Sequence, residues 1–162
     1  MLESYEINYD TLAIIPINTR ISKVIEKDKN YIVNKKSIEI IDDSCRYFGS
    51  TFKGRNEATR DLIGITYKSP IIVEESRNII FFPTSSPRYN NCYWIALNKI
   101  KSSEKLAEFS QIIFNNNLEL ELNISYESLQ NQILRATMLE STLKKRINQW
   151  KNVYFRHFFV KF

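Results

Sequence analysis

With 162 residues, 43% hydrophobic and 25% charged, the chain has the composition of a folded soluble protein large enough to bury a real core, which excludes general disorder. The formal net charge of +5 is unevenly spread: seven Lys/Arg face eight Asp/Glu in residues 1–50, seven face four in 51–100, and nine face six in 101–162, so the basic middle and end suit an anionic partner. No apolar run nears the ~20 residues that span a bilayer and no signal-peptide pattern opens the chain, so with only two distant cysteines, Cys45 and Cys92, it reads as cytoplasmic, thiol-reduced and without a membrane partner.

In chain order, short strands are expected around residues 5–7, 12–17, 23–25, 31–33 and 37–41, where β-branched residues such as Val24, Ile32, Ile38 and Ile40 suit a pleated, half-buried surface. Between Gly54 and Gly64 the run RNEATRDLI predicts a short helix, with Ala58 and Leu62 on one face and Gly64 as its C-terminal stop. Strands resume at 65–67, 71–73, 79–82 and 92–97, while PTSSPRYNN, residues 83–91, holds two prolines and is excluded as a central strand. Residues 101–110 fit either a helical turn or an edge strand. Residues 111–114, three asparagines and the alternating 118–122 predict a hairpin with Leu118, Leu120 and Leu122 on one face. Because only three glycines are present, left-handed turn positions are expected to fall to Asn, at Asn90–Asn91 and Asn115–Asn117.

From Ser125, an N-cap, a helix runs to about Trp150. Its stripe of Leu129, Ile133, Ala136, Leu139, Leu143, Ile147 and Trp150 serves either core packing or a dimer seam, and its polar side carries Arg135, Lys144, Lys145 and Arg146. The fold class is therefore α+β: a β-rich core of short, mostly antiparallel strands with one short helix and a long C-terminal helix. It forms a single domain over 1–150, followed by an aromatic and basic tail, 151–162, that includes Tyr154, Phe155, Phe158, Phe159 and Phe162.

Catalytic groups are scarce, and an enzyme is not expected. His157, the one histidine, lies in the tail, so either cysteine could use it as a base only if the tail folded back; both cysteines read better as small buried hydrophobes. Two cysteines and one histidine match no zinc spacing, and no cofactor or metal is expected. Asp42 and Asp43, neighbours on an expected strand, would point to opposite faces, and solvation or pairing with Arg46 accounts for them better than a carboxylate pair; Arg46 is either a DNA contact or a strand residue paired to Asp43. The segment Gly49–Gly54 has the outline of a nucleotide phosphate loop, but Arg55 and Asn56 stand where that chemistry needs Lys and Ser/Thr. What remains is a donor-rich loop entering a helix, able to hold a backbone phosphate of DNA. Lys53, Arg55 and Arg60 cluster around it, followed by Lys68 and by Arg88 in the proline-bounded loop. These cations are either DNA contacts or solvated charges, with Arg60 pairing Glu57 or Asp61.

Seven segments in order, LESYEIN, KVIEKD with YIVN, SCRYFGSTFKGR, KSPIIVEE, IIFFPTSSP, CYWI and ISYESLQNQILRAT, resemble the ComK-type competence transcription factor family across about residues 2–150. The resemblance implies a DNA-binding activator of competence genes that recognises paired AT-rich boxes of double-stranded DNA through the minor groove, as a homo-dimer or dimer of dimers. Arg46, Lys53, Gly54 and Arg55 fall within the best-matching motif and, with Arg60, Lys68, Arg88, Arg135, Lys144, Lys145 and Arg146, make up the expected DNA-binding set. Family members continue into a longer tail with an aromatic-proline motif read by a proteolytic adaptor; KNVYFRHFFVKF holds no proline, which bears on that partner. The alternative is a short-tailed paralogue that modulates a full-length activator through protein contacts.

Overall fold

The structure, a computed structural model, describes residues 1–159. Strands β1 (Thr11–Pro16), β2 (Ser22–Glu26) and β3 (Asn30–Val33) form one antiparallel meander, and β4 (Ile71–Glu74), β5 (Ile79–Pro83) and β6 (Trp94–Ala96) form a second. The meanders join where β1 pairs with β6, Ala13 opposite Ile95 and Ile14 opposite Trp94, giving a six-stranded sheet of order β3-β2-β1-β6-β5-β4. Helices α1 (Ser37–Tyr47) and α2 (Phe52–Ile63) connect the two halves. A second antiparallel sheet, β7 (Ile100–Leu106), β8 (Phe109–Phe114) and β9 (Glu119–Leu122), precedes α3 (Tyr126–Phe159).

Alternation along the central strands sends side chains into two cores. Ile14, Phe81, Trp94 and Ala96 pack with Ile40, Ile41 and Cys45 of α1 on one face. Ala13, Ile80, Phe82 and Ile95 pack on the other with Ile112 and Phe114 of the small sheet and Leu129, Ala136 and Leu139 of α3. Both faces of the sheet are covered, which is why its inner strands read as continuous apolar runs. The α3 stripe is thus a packing stripe as far as Leu143; farther on, Ile147, Trp150 and Val153 are exposed.

Several expectations hold. Ser125 Oγ caps α3 by accepting from the Ser128 N–H at 3.1 Å, Gly64 ends α2 in the left-handed region with φ 74°, and Leu122 is buried while Glu119 and Glu121 are exposed. Residues 101–110 resolve as the edge strand β7 and the start of β8. Of the asparagines expected at positive φ, Asn117 adopts it; Asn90 and Asn91 do not, and Lys68, Asn78 and Ala107 do.

Other expectations are corrected. Residues 37–41 are the first turns of α1, because Ile40, Ile41, Ser44 and Cys45 bury one helical face and Glu39 turns back to accept the Lys36 N–H at 2.9 Å. The segment at 41–64 is therefore helix–loop–helix, and Gly54 lies in the first turn of α2. Residues 65–67 form no strand, since side chains bind the segment instead: Arg135 donates to the Tyr67 carbonyl at 2.9 Å and Ser69 Oγ to the Ile65 carbonyl at 3.3 Å. Nor do residues 5–7, where the Ile7 N–H donates to Ser44 Oγ. Helix α3 runs on through 151–159, so this part of the expected tail is helical. Phe162 lies outside the described residues, as do the side chains of Tyr154, Phe155, His157, Phe158 and Phe159.

Candidate nucleic-acid interface

The corner between α1 and α2 is built around Asp42. With α1 helical, Asp42 faces Arg46 one turn on at 2.9 Å, so Arg46 does pair with this carboxylate couple, but through Asp42; Asp43 pairs with Lys35, which removes the alternative Arg46–Asp43 pair. The other Asp42 oxygen accepts the Phe52 N–H at 2.8 Å, while Thr51 Oγ1 accepts the Gly54 N–H at 2.9 Å. Burial of Asp42 works against its charge, but the Phe52 N–H and the Arg46 guanidinium outweigh it and hold the carboxyl below the usual carboxylate range. The first donors of α2, expected to await a phosphate, are thus taken from within the chain.

A depressed carboxyl stabilises the fold above its unfolded-state value, and that contribution is lost as pH falls through the folded-state value. Asp42→Ala is accordingly expected to lower stability by about 1–2 kcal/mol at pH 7. The gap from the parent should narrow toward pH 3, as urea unfolding at the two pH values measures. An equal gap at both would assign the side chain a packing role alone.

The expected cations divide between the two outer layers. On the α1 side, Arg46 and Lys53 line one shallow depression with Ile38, Glu39 and Asp42. Ile38 also lines an adjoining cavity with Arg88, which brings Lys36 onto the same face. On the α3 side, Arg135 donates to the Tyr67 carbonyl at 2.9 Å, next to Lys68, whose Nζ lies over the Tyr67 ring. Lys144, Lys145 and Arg146 follow on the exposed part of α3.

Pairing separates these groups further. Arg55 turns inward: its side chain is only 14% exposed, and its guanidinium meets Glu75 at 2.9 Å. Gly54 offers no side chain; a Cβ there would come within 3.2 Å of the capping Thr51 hydroxyl. Arg60 reaches Asp61 at 3.9 Å and Lys144 reaches Glu140 at 3.7 Å. By contrast Lys53, Arg88, Lys145 and Arg146 make no salt bridge among the described residues, and neither do Arg20 and Lys36, which the sequence reading missed. Nothing local marks Lys36; it joins Arg88 only through folding.

Burial pushes the Cys45 thiol up to about 11 and raises that of Cys92, so neither is a ready nucleophile near neutral pH. Among the described residues no group of three or more His, Cys, Asp or Glu side chains could hold a metal, and no helix is long and apolar enough to cross a membrane.

The fold is a three-layer α+β protein with unpaired cations on both outer layers. The profile of the ComK protein family matches residues 2–148, and the chain belongs to that family. Over 152 residues it is 41% identical to the competence transcription factor of Bacillus subtilis (strain 168), an alignment that covers 91% of this chain and 79% of the relative. No solved structure matches the chain.

Proposed function

We propose that this protein is a transcriptional activator of competence genes that binds double-stranded DNA in the cytoplasm, recognising paired AT-rich boxes through the minor groove as a dimer or dimer of dimers. The observation that carries this reading is the set of cations on the α1 face: Lys36 and Arg88 at one cavity and Lys53 with Arg46 in the adjoining depression, with Lys36, Lys53 and Arg88 making no salt bridge among the described residues. Unpaired Lys and Arg give phosphates a partner without first breaking an internal ion pair, and they make affinity depend on salt. The 41% identity to a competence transcription factor supports the same function. Minor-groove readout separates A·T from G·C and little else, so two boxes at fixed spacing, met by two copies, would supply the remaining selectivity.

Within this reading Lys53 and Arg88 are direct phosphate contacts, and Arg46 and Arg60 contribute part of their charge. Lys68, Arg135, Lys144, Lys145 and Arg146 add a second basic zone along α3. Arg55 and Gly54 shape the α1–α2 corner. Titration against labelled duplexes by fluorescence anisotropy tests it: a duplex with two spaced A/T tracts should bind more tightly than a GC duplex of equal length, and Lys53→Gln should lower the salt slope by about 1. Equal or absent binding to both duplexes would favour protein contacts as the working mode, for which the exposed Leu134, Met138 and Ile147 of α3 are the available surface.

A further inference from the structure

The β1–β2 turn, the residues that open α1 and the 83–91 loop converge on a cavity of about 240 Å³. Asn18 of the turn, Lys36 before α1, and Arg88 and Asn90 of the loop line it, with the buried Trp94 behind them. Its chemistry is one-sided: no carboxylate lines it, whereas the depression on the other side of Ile38 contains Glu39 and Asp42. Both cations come from separate elements, both are exposed, and neither makes a salt bridge among the described residues.

Beside the cavity the turn presents an exposed apolar side chain and an exposed guanidinium. Ile17 is 52% exposed, and Arg20 follows with no ion pair among the described residues. Asn18 Oδ1 holds the turn by accepting from the N–H groups of Arg20 at 2.8 Å and Ile21 at 2.9 Å. A branched apolar side chain can wedge between base steps, and a guanidinium is drawn to the potential of a narrow A/T groove.

We propose that this cavity seats one DNA backbone phosphate between Lys36 and Arg88, and that the adjoining β1–β2 turn is the element that enters the minor groove, with Arg20 near its tip and Ile17 at its base, where the Ile17 N–H donates to the Ile21 carbonyl at 2.8 Å. This rests on the DNA-binding reading above and names the site that performs it. The phosphate anchors the protein at the groove edge; the turn senses groove width.

The test uses the full chain and a fluorescein-labelled duplex with two A/T tracts. Lys36→Gln/Arg88→Gln is expected to weaken binding about 10- to 100-fold and to lower the slope of log Kd against log salt by about 2. The charge-matched Lys27→Gln/Lys29→Gln, in the turn at the opposite end of β2, should change affinity by less than about threefold, on the scale of an exposed charge remote from the site. Ile17→Asp should reduce the preference for A/T over GC duplexes. If the double variant loses thermal stability, Arg88→Gln alone, on the exposed loop, carries the same test with a slope change of about 1. A parent that binds the A/T duplex while Lys36→Gln/Arg88→Gln binds within about twofold of it would overturn the inference and leave DNA binding standing. A parent that binds no duplex would overturn both.

Discussion

Trp94→Ala is expected to cost about 3–5 kcal/mol, the largest loss of any single truncation considered for this chain. Trp94 is fully buried on β6, the strand between β1 and β5, where it pairs with Ile14 and with Pro83. Its indole meets the Phe52 ring edge-on at a centroid separation of 6.0 Å, tying the first turn of α2 to the central sheet. Alanine would leave a hole that backbone on both sides keeps from closing. Against a total stability of about 5–15 kcal/mol for a domain, the loss is a large share. Urea unfolding followed by far-UV circular dichroism measures it; a loss under about 1 kcal/mol would mean that the α1-side core repacks freely. Trp94→Phe, which keeps a ring against Phe52, should cost less.

Gln132→Leu is the second large effect, and its cause is polar. Gln132 is 3% exposed on α3, and its Nε2 donates to the Pro83 carbonyl at 2.7 Å and the Lys68 carbonyl at 2.9 Å. One amide thus joins the long helix to the end of β5 and to the 65–70 segment. Leucine has about the right volume and no donor, so two carbonyls would lose their partner away from water, at about 2–3 kcal/mol in all. Gln132→Glu should be no better, because a carboxylate supplies acceptors where donors are needed. If Gln132→Leu unfolds at the parent's urea midpoint, water reaches both carbonyls and the amide is dispensable.

Gln132 also explains part of the segment ISYESLQNQ in physical terms. Ser125 caps, Leu129 fills the core, Gln130 reaches Ser103 Oγ at 2.6 Å, and Gln132 makes the double bridge. The motif therefore fixes how α3 leaves the small sheet and crosses the central one.

What could be read from residues alone was what depends on near neighbours. The alternation at 118–122, the N-cap at Ser125 and the left-handed stop at Gly64 are local devices, and each appears as expected. Residues 37–41 failed because the spacing of Ile38 and Ile40 suits a strand, whereas the longer run through Ser44 and Cys45 is helical. Pairing of Arg46 with the aspartate couple was legible, but the Asp43 alternative followed from the strand assignment. Of the site, the motif region and several cations were legible, but not their pairing. Whether Arg55 is inward depends on Glu75, twenty residues away, and Lys36 meets Arg88 across more than fifty. Such juxtapositions are properties of the folded chain.

The seam between β1 and β6 also bears on how the chain reaches this fold. Each three-stranded meander is made of near neighbours and can form early, but Ala13 finds Ile95 only after about eighty intervening residues have been brought round. Closing that loop is the costly topological event, so joining the two halves, rather than making either, sets the pace of folding. On a ribosome the first meander must wait, one side unpaired, until β6 has emerged. Trp94, at the seam, is an intrinsic fluorophore placed to report the moment the halves meet.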